Sequence, residues 1–130
     1  IKKNNDLIGK TINSFASLSQ NPPLVLFSLD KKSTSLNSFL KTSFLGINIL
    51  SKSQKELSIH FSKKKPKWGE TKFFLTNNDV PMIKDSVANI YCKKIANIKK
   101  GDHIIFICKI LKISCQNKLK PLIYSNSKYL

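Results

Sequence analysis

Residues 87–113 read V-A-N-I-Y-C-K-K-I-A-N-I-K-K-G-D-H-I-I-F-I-C-K-I-L-K-I, and this stretch decides the fold class. Two β-rich runs, Val87–Ile98 and Ile104–Ile113, flank the polar break Lys99–Asp102, which contains Gly101. A glycine in a short polar break between β-branched runs is typical of a hairpin. We therefore expect two long strands that pair antiparallel.

Shorter elements precede this hairpin. After Asn21-Pro22-Pro23, the run Leu24–Leu29 predicts a strand buried on both faces. The polar loop Asp30–Ser35 then offers Ser33 or Thr34 as the N-cap of a helix. The expected apolar face of that helix consists of Leu36, Phe39, Leu40 and Phe44.

The middle and the end of the chain carry weaker signals. Leu45–Leu50 predicts a second short strand, and Ser53–Glu56 has the capping-box spacing of a second helix, with Leu57 and Phe61 as its apolar stripe. The basic segment Ser62–Met82 predicts a long surface excursion. Pro121–Tyr124 predicts a last short strand.

These elements together favour a mainly β fold. Strands dominate, and the regular alternation of strands and helices found in doubly wound folds is missing, so we expect a small antiparallel barrel with helical insertions. A length of 130 residues predicts one domain over residues 1–130.

The charge is strongly positive, with 23 Lys, no Arg and 7 acidic residues, which gives a net charge of +16. Such a chain attracts phosphates, nucleic acid and anionic lipid. Arginine, the residue suited to bidentate guanine recognition, is absent, which argues against sequence-specific DNA reading. A lysine-rich nucleic-acid-binding module remains an alternative, and it predicts a steep salt dependence of binding. Apolar runs stop at about five residues, so no membrane span is expected.

The three cysteines are Cys92, Cys108 and Cys115, and none forms a C-x-x-C pair. Since two of them lie among Ile, Tyr and Phe, we expect buried free thiols in a reducing compartment rather than a disulfide. With only His60 and His103 in the chain, no metal site is expected.

Three segments could contribute to a site. The hydroxyl-rich segment Gly9–Ser19 could contact a planar polar ring or a phosphate, or could be a polar strand edge. The loop Asp30–Ser35 could receive a phosphate at a helix start, or act as a plain N-cap. His103, at a strand start, could hydrogen-bond a ligand amide, or be incidental. Hydrolase, Walker and Rossmann motifs are not apparent, so an enzyme would depend on a bound cofactor.

In order along the chain, these segments resemble the flavin reductase family, and especially the small NADH-dependent partners of two-component flavin monooxygenases. The stretch G-K-T-I-N-S-F-A-S-L-S-Q-N-P-P-L-V-L at residues 9–26 is similar to the family signature G-(M/L)-T-x-N-(S/A)-F-x-S-(V/L)-S-x-x-P-P-L-V-L. Further family segments are matched by Phe44–Leu50, Val80–Ala88, Gly101–His103 and Pro121–Tyr124.

The resemblance implies an antiparallel Greek-key split β-barrel that binds FMN or FAD. It also implies hydride transfer from NADH or NADPH to flavin N5, and release of the reduced flavin to a partner oxygenase. A flavoprotein with tightly bound FMN and another electron-transfer role is the alternative within this fold. The family further implies a homodimer, and the free thiols expected above favour a cytoplasmic location.

The resemblance also implies roles for individual residues. His103 would face the nicotinamide as the catalytic residue, and Tyr124 would border that pocket. Phe61 would contact flavin, and Lys32, Ser33 and Thr34 would form the phosphate loop. The remaining positions would line the isoalloxazine and ribityl chain: Thr11, Ile12, Asn13, Ser14, Phe15, Ser17 and Leu18.

Two departures from the family pattern carry expectations. A helix and a strand usually precede the position of Gly9, so we expect this chain to be N-terminally incomplete. Two family glycines are replaced, at Cys108 within Phe106–Ile110 and at Ser127 within Tyr124–Tyr129. Side chains there narrow the space for a ligand, so we expect weaker binding of nicotinamide than of flavin.

Overall fold

The computed structural model describes residues 1–130 and is built mainly of strands. Two 3₁₀ turns, Lys52–Gln54 and Asn77–Asp79, accompany the regular elements. In chain order those elements are β1 (Lys2–Lys3), β2 (Asp6–Leu7), β3 (Ala16–Ser19), β4 (Leu24–Asp30), α1 (Leu36–Lys41), β5 (Phe44–Ile49), α2 (Lys55–Ser62), β6 (Phe73–Leu75), β7 (Pro81–Ile83), β8 (Ala88–Lys100), β9 (His103–Cys115), β10 (Tyr124–Ser125) and β11 (Lys128–Tyr129).

A five-stranded antiparallel sheet with the order β3-β4-β9-β8-β5 forms the centre of the fold. The predicted hairpin is β8–β9, in which Lys100 pairs with His103 across the turn. Gly101 in this turn has φ +57°, a left-handed conformation that glycine adopts without steric cost. The antiparallel mainly β fold predicted from the sequence is confirmed.

The core lies on one face of this sheet. Along β4, Val25, Phe27 and Leu29 are buried while the intervening residues are half-buried, so the prediction of a strand buried on both faces was wrong. Phe27 stacks on Phe106 at 5.1 Å, and Phe39 of α1 packs edge-on against both rings. The helix α1 covers one face of β4. Because side chains alternate along a strand, the residues on the opposite face of β4 remain only half-buried.

The first helix is shorter than predicted. It ends at Lys41, because Thr42 is extended, and Phe44 begins β5 and stacks on Tyr91 instead of joining the apolar face of the helix. The N-cap is Ser35 rather than Ser33 or Thr34, and its side chain makes no capping hydrogen bond. The Ser33 hydroxyl instead accepts a hydrogen bond from the Ser35 amide at 3.4 Å.

The second helix is present, but its predicted start was wrong. Ser51 and Gln54 form the capping box, with the Ser51 amide donating to Oε1 of Gln54 at 3.0 Å, and a 3₁₀ turn then leads into α2. Two Ser-x-x-(Glu/Gln) spacings overlap here. The earlier one is used because the Ser51 backbone also bridges to Pro121.

The segment Ser62–Met82 is a surface excursion only in its first part. Its end forms the β6–β7 hairpin, and Val80, Pro81 and Met82 are buried. Met82 packs so closely on β5 that a Cβ added to Gly46 would lie 2.8 Å from Sδ of Met82. The predicted last strand Pro121–Tyr124 is also wrong: Pro121 makes a single bridge, and the chain ends in the β10–β11 hairpin.

The cysteines are free, as predicted: Cys92 and Cys108 are buried in the core, and Cys115 is exposed. Burial raises the pKa of both core thiols to about 12, so they remain protonated and unreactive at neutral pH. Neither helix has the length and the apolar character needed to cross a bilayer.

Candidate functional site

A cavity of about 660 Å³, which we call cavity 1, lies beside the sheet and is lined mainly by apolar side chains. Its walls are the segment Ile8–Asn13, the inward faces of β4 and β5, the second half of α2, and the C-terminal hairpin. This size and composition are typical of a site for an organic cofactor or substrate.

The segment Gly9–Asn13 is fixed in place by α2. The amide of Thr11 donates to the carbonyl oxygen of Phe61 at 3.1 Å, and the Thr11 hydroxyl donates to the carbonyl oxygen of Ser58 at 2.6 Å. The predicted residues Thr11, Ile12 and Asn13 line cavity 1, together with Phe61. Because its hydroxyl already donates to the helix, Thr11 shapes the cavity wall and offers its other atoms to a ligand.

An aromatic cluster closes one side of cavity 1. The rings of Phe61 and Trp68 lie 5.0 Å apart, and Phe73 packs against Trp68 at 5.2 Å. Gly9 allows the chain to approach this cluster, since an added Cβ would lie 2.8 Å from the ring of Phe61 and 3.2 Å from Trp68. The indole N–H of Trp68 is buried and has no hydrogen-bond partner in the protein.

Four predicted flavin contacts, Ser14, Phe15, Ser17 and Leu18, do not line cavity 1. The Ser14 hydroxyl bridges to β4, accepting from the Ser28 amide at 2.9 Å and donating to the Ser28 carbonyl oxygen at 3.0 Å. Phe15 packs against the core, while Ser17 and Leu18 are exposed on the edge strand β3. Their direct role toward flavin stays a prediction.

The predicted phosphate loop is a tight turn after β4. The Lys32 amide donates to Oδ1 of Asp30 at 2.8 Å, and the Ser33 amide donates to the Asp30 carbonyl oxygen at 2.9 Å. Thr34 lines a second cavity, described below, whereas Lys32 and Ser33 line neither cavity. The turn exposes the Lys32 side chain.

His103 lies at the same end of the sheet as this loop, because His103 pairs with Asp30 in the β4–β9 register. Nδ1 of its imidazole is 2.7 Å from Oδ1 of Asp102, and this hydrogen bond lowers the pKa of the Asp102 carboxyl group. The Lys31 amide donates to the Asp102 carbonyl oxygen at 2.9 Å, which joins the hairpin to the loop. His103 is outside cavity 1. Its catalytic role stays a prediction.

The C-terminal hairpin adds the last wall of cavity 1. The predicted residue Tyr124 lies there with Tyr129, the two ring centroids 4.9 Å apart. The Tyr129 hydroxyl is 3.0 Å from Oγ of Ser58. Tyr129 and Trp68 were not predicted as site residues. The sequence offered one weak signal for each: Tyr129 ends the segment Tyr124–Tyr129, and Trp68 is the only tryptophan of the chain.

Comparison with known proteins identifies the family. A profile described as flavin reductase like domain matches residues 2–130. The chain belongs to the flavin reductase-like family. This membership confirms the resemblance inferred from the ordered motifs.

Several flavin reductases are similar to this chain in sequence or in structure. It is 32% identical over 122 residues to the FMN reductase (NADH) SmoA of Agrobacterium fabrum, covering 94% of this chain and 70% of that protein. It is 31% identical to the NADH-dependent flavin reductase StyB of Pseudomonas fluorescens, covering 93% of this chain and 72% of that protein. The structure of the flavin reductase PheA2 matches with a TM-score of 0.90 at 34% identity, covering 99% of this chain and 83% of that one. The predicted fold is that of the flavin reductase PheA2.

Proposed function

We propose that this chain is an NAD(P)H-dependent flavin reductase that transfers hydride from NADH or NADPH to FMN or FAD and supplies reduced flavin to a partner monooxygenase. The observation that carries the proposal is cavity 1, because its wall at Gly9–Asn13 is built from the segment that resembles the flavin reductase signature, within the range 2–130 matched by the family profile.

The residues of cavity 1 fit a flavin. An isoalloxazine ring is flat and largely apolar, with polar atoms along its edge, and cavity 1 combines apolar walls with a buried indole N–H that lacks an acceptor. A buried unpaired donor is unfavourable, so a ligand acceptor at Trp68 would stabilise the site. Thr11, Asn13, Phe61 and Trp68 would hold the ring, with Tyr124 at the end of the cavity formed by the terminal hairpin.

Bound flavin supplies the hydride acceptor, and the nicotinamide nucleotide supplies the donor. The protein contributes orientation and exclusion of water, since holding two reactants in place removes much of the entropic cost of their encounter. Asp102 orients the His103 ring through Nδ1, which leaves Nε2 free to hydrogen-bond the nicotinamide amide. We assign His103 to binding and orienting the nicotinamide.

Turnover of the purified chain tests the proposal. With FMN or FAD present, NADH or NADPH absorbance should fall at a rate that depends on flavin. A chain that binds flavin but oxidises neither nucleotide would refute it. Flavin that survives dialysis would instead favour a flavoprotein with tightly bound FMN.

A His103→Asn variant tests the residue role. We expect a higher KM for the nicotinamide nucleotide with an unchanged flavin affinity, because His103 lies outside cavity 1. Unchanged kinetics in this variant would refute the assignment.

Three further assignments belong to the proposal. The chain acts as one domain over residues 1–130. It forms a homodimer, because β9 has no partner on its β4 side beyond Ile110, whose amide donates to the Pro23 carbonyl oxygen, and the strand then exposes Leu111 and Ile113. The nicotinamide substrates and three free cysteines favour the cytoplasm. Light scattering should give a dimer mass for the native chain and a lower mass for Leu111→Lys.

A further inference from the structure

A second cavity of about 570 Å³, which we call cavity 2, lies next to cavity 1 and is mostly polar. Three segments line it: residues 5–9, the start of α1, and the loop that follows α2. The two cavities share Ile8, Gly9 and Trp68. A ligand in cavity 1 could therefore extend past Gly9 and Trp68 into cavity 2.

The side chains of cavity 2 offer hydrogen-bond donors. Thr34 and Ser35 directly precede α1 and Ser38 lies in its first turn, and none of their hydroxyl groups has a hydrogen-bond partner in the protein. Thr34 also belongs to the loop that the family resemblance assigns to the flavin phosphate. This part of cavity 2 is suited to phosphate oxygens.

Two lysines line cavity 2 from the loop after α2. Lys65 and Lys67 are exposed, and neither ammonium group forms an ion pair. The loop is held by a 2.6 Å hydrogen bond between Nε2 of His60 and the Lys67 carbonyl oxygen. Lys65 has φ +48°, a conformation that costs a residue with a side chain about 1 kcal/mol. Asp6 is the only carboxylate in the lining, so the balance of charge is positive.

We propose that cavity 2 binds the diphosphate and adenosine end of FAD, and that Lys65 and Lys67 make the chain select FAD over FMN. This inference rests on the proposed function, because it needs a flavin in cavity 1. FMN ends in one phosphate, which the loop of Thr34 can receive. FAD continues with a second phosphate, which needs the extra cations and space that cavity 2 provides.

Flavin titration of the full chain tests this selection. Trp68 is the only tryptophan and lines both cavities, so its fluorescence reports binding of riboflavin, FMN or FAD. The test variant is Lys65→Gln/Lys67→Gln. The matched control is Lys63→Gln/Lys64→Gln, which removes the same charge from exposed positions of the same loop outside cavity 2.

The wild-type chain should bind FAD more tightly than FMN. The test variant should lose about tenfold in FAD affinity for each charged hydrogen bond removed, lose less for FMN and bind riboflavin as before. The control variant should bind all three flavins like wild type. Circular dichroism should show that both variants are folded.

Three results would overturn the proposal: FMN binding as tight as FAD in the wild type, an equal loss for all three flavins in the test variant, or the same FAD loss in the control. A fourth result would also overturn it: if the Lys65→Gln/Lys67→Gln variant, but not the control, binds NADPH more weakly while its FAD affinity is unchanged, cavity 2 binds the 2′-phosphate of the nicotinamide nucleotide instead. Reductase turnover is read separately. Its absence would refute the proposed function without affecting the flavin-binding result.

Discussion

The substitution Gly9→Ala should lower both the stability of the fold and the affinity for flavin. The new methyl carbon would lie 2.8 Å from Cδ1 and Cε1 of Phe61 and 3.2 Å from Cζ2 of Trp68. Carbon atoms in van der Waals contact lie about 3.5–4.0 Å apart, so the Phe61 ring must move by roughly half an ångström or more. Phe61 is only 4% exposed, packs against His60 and Trp68, and lines cavity 1, so a shift of its ring would disturb both this packing and the cavity wall.

The cost follows from overpacking. Forcing an extra methyl group into a packed site typically costs about 1–3 kcal/mol. For a chain of this length, we expect a fall in Tm of roughly 4 °C per kcal/mol. Flavin affinity should fall as well, because the rings that must move form the wall of cavity 1.

Thermal unfolding and flavin titration by Trp68 fluorescence measure the two effects. Gly101→Ala is the matched control: an added Cβ meets nothing within 4 Å, but φ is +57°, so stability should fall by about 1 kcal/mol with no change in flavin affinity. A Gly9→Ala chain that keeps its Tm would refute the packing argument. One that loses stability but binds flavin normally would show that the Phe61–Trp68 wall does not shape the flavin site.

Three further predictions concern the rest of the fold. Lys94 donates hydrogen bonds to carbonyl oxygens in the last turn of α1, those of Phe39 at 3.0 Å and of Leu40. Lys94→Met should therefore lower the free energy of unfolding, measured in urea, by about 1–3 kcal/mol. Lys93→Met, at an exposed neighbouring position, should change it little, and equal losses in the two variants would contradict the role of Lys94. A thiol reagent should label Cys115 in the native chain and all three cysteines after unfolding, and labelling of more than one in the folded state would show that the core thiols are accessible. Because the pKa of Asp102 is lowered in the folded chain, its carboxylate stabilises the fold above the ordinary pKa of 3.8, and this contribution disappears as pH falls below that value. The difference in unfolding free energy between wild type and Asp102→Asn should therefore shrink on acidification, and a difference independent of pH would refute the pairing.

The elements that the sequence predicted correctly are those with strong local signals. The β8–β9 hairpin follows from two long β-branched runs around Gly101, and β4 follows from an apolar run after two prolines. The errors fall where two local signals compete. Phe44 has helical spacing from Leu40, but it is used by β5, because pairing with β8 stabilises the extended chain more than one further helical turn would.

The candidate site was only partly predictable for a similar reason. The motif at residues 9–18 identified the right segment, and its first part lines cavity 1. In its second part, the Ser14 hydroxyl is taken up by the backbone of Ser28, and the edge position of β3 leaves Ser17 and Leu18 exposed. Whether a hydroxyl is free for a ligand depends on its neighbours in space.

The fold class, the family and the segments that build the site could be inferred from the sequence, because strand periodicity, turn residues and motif order are local properties of the chain. The tertiary structure decided which side chains meet. The loop after α2 brings Trp68 to cavity 1, and brings Lys65 and Lys67 to the cavity that Thr34 lines. Thirty residues separate Thr34 from Lys65, so no local pattern could have paired them. Their proximity arises because α1 packs on the sheet through Phe39, while α2 is held against the segment Gly9–Asn13 by the two hydrogen bonds of Thr11.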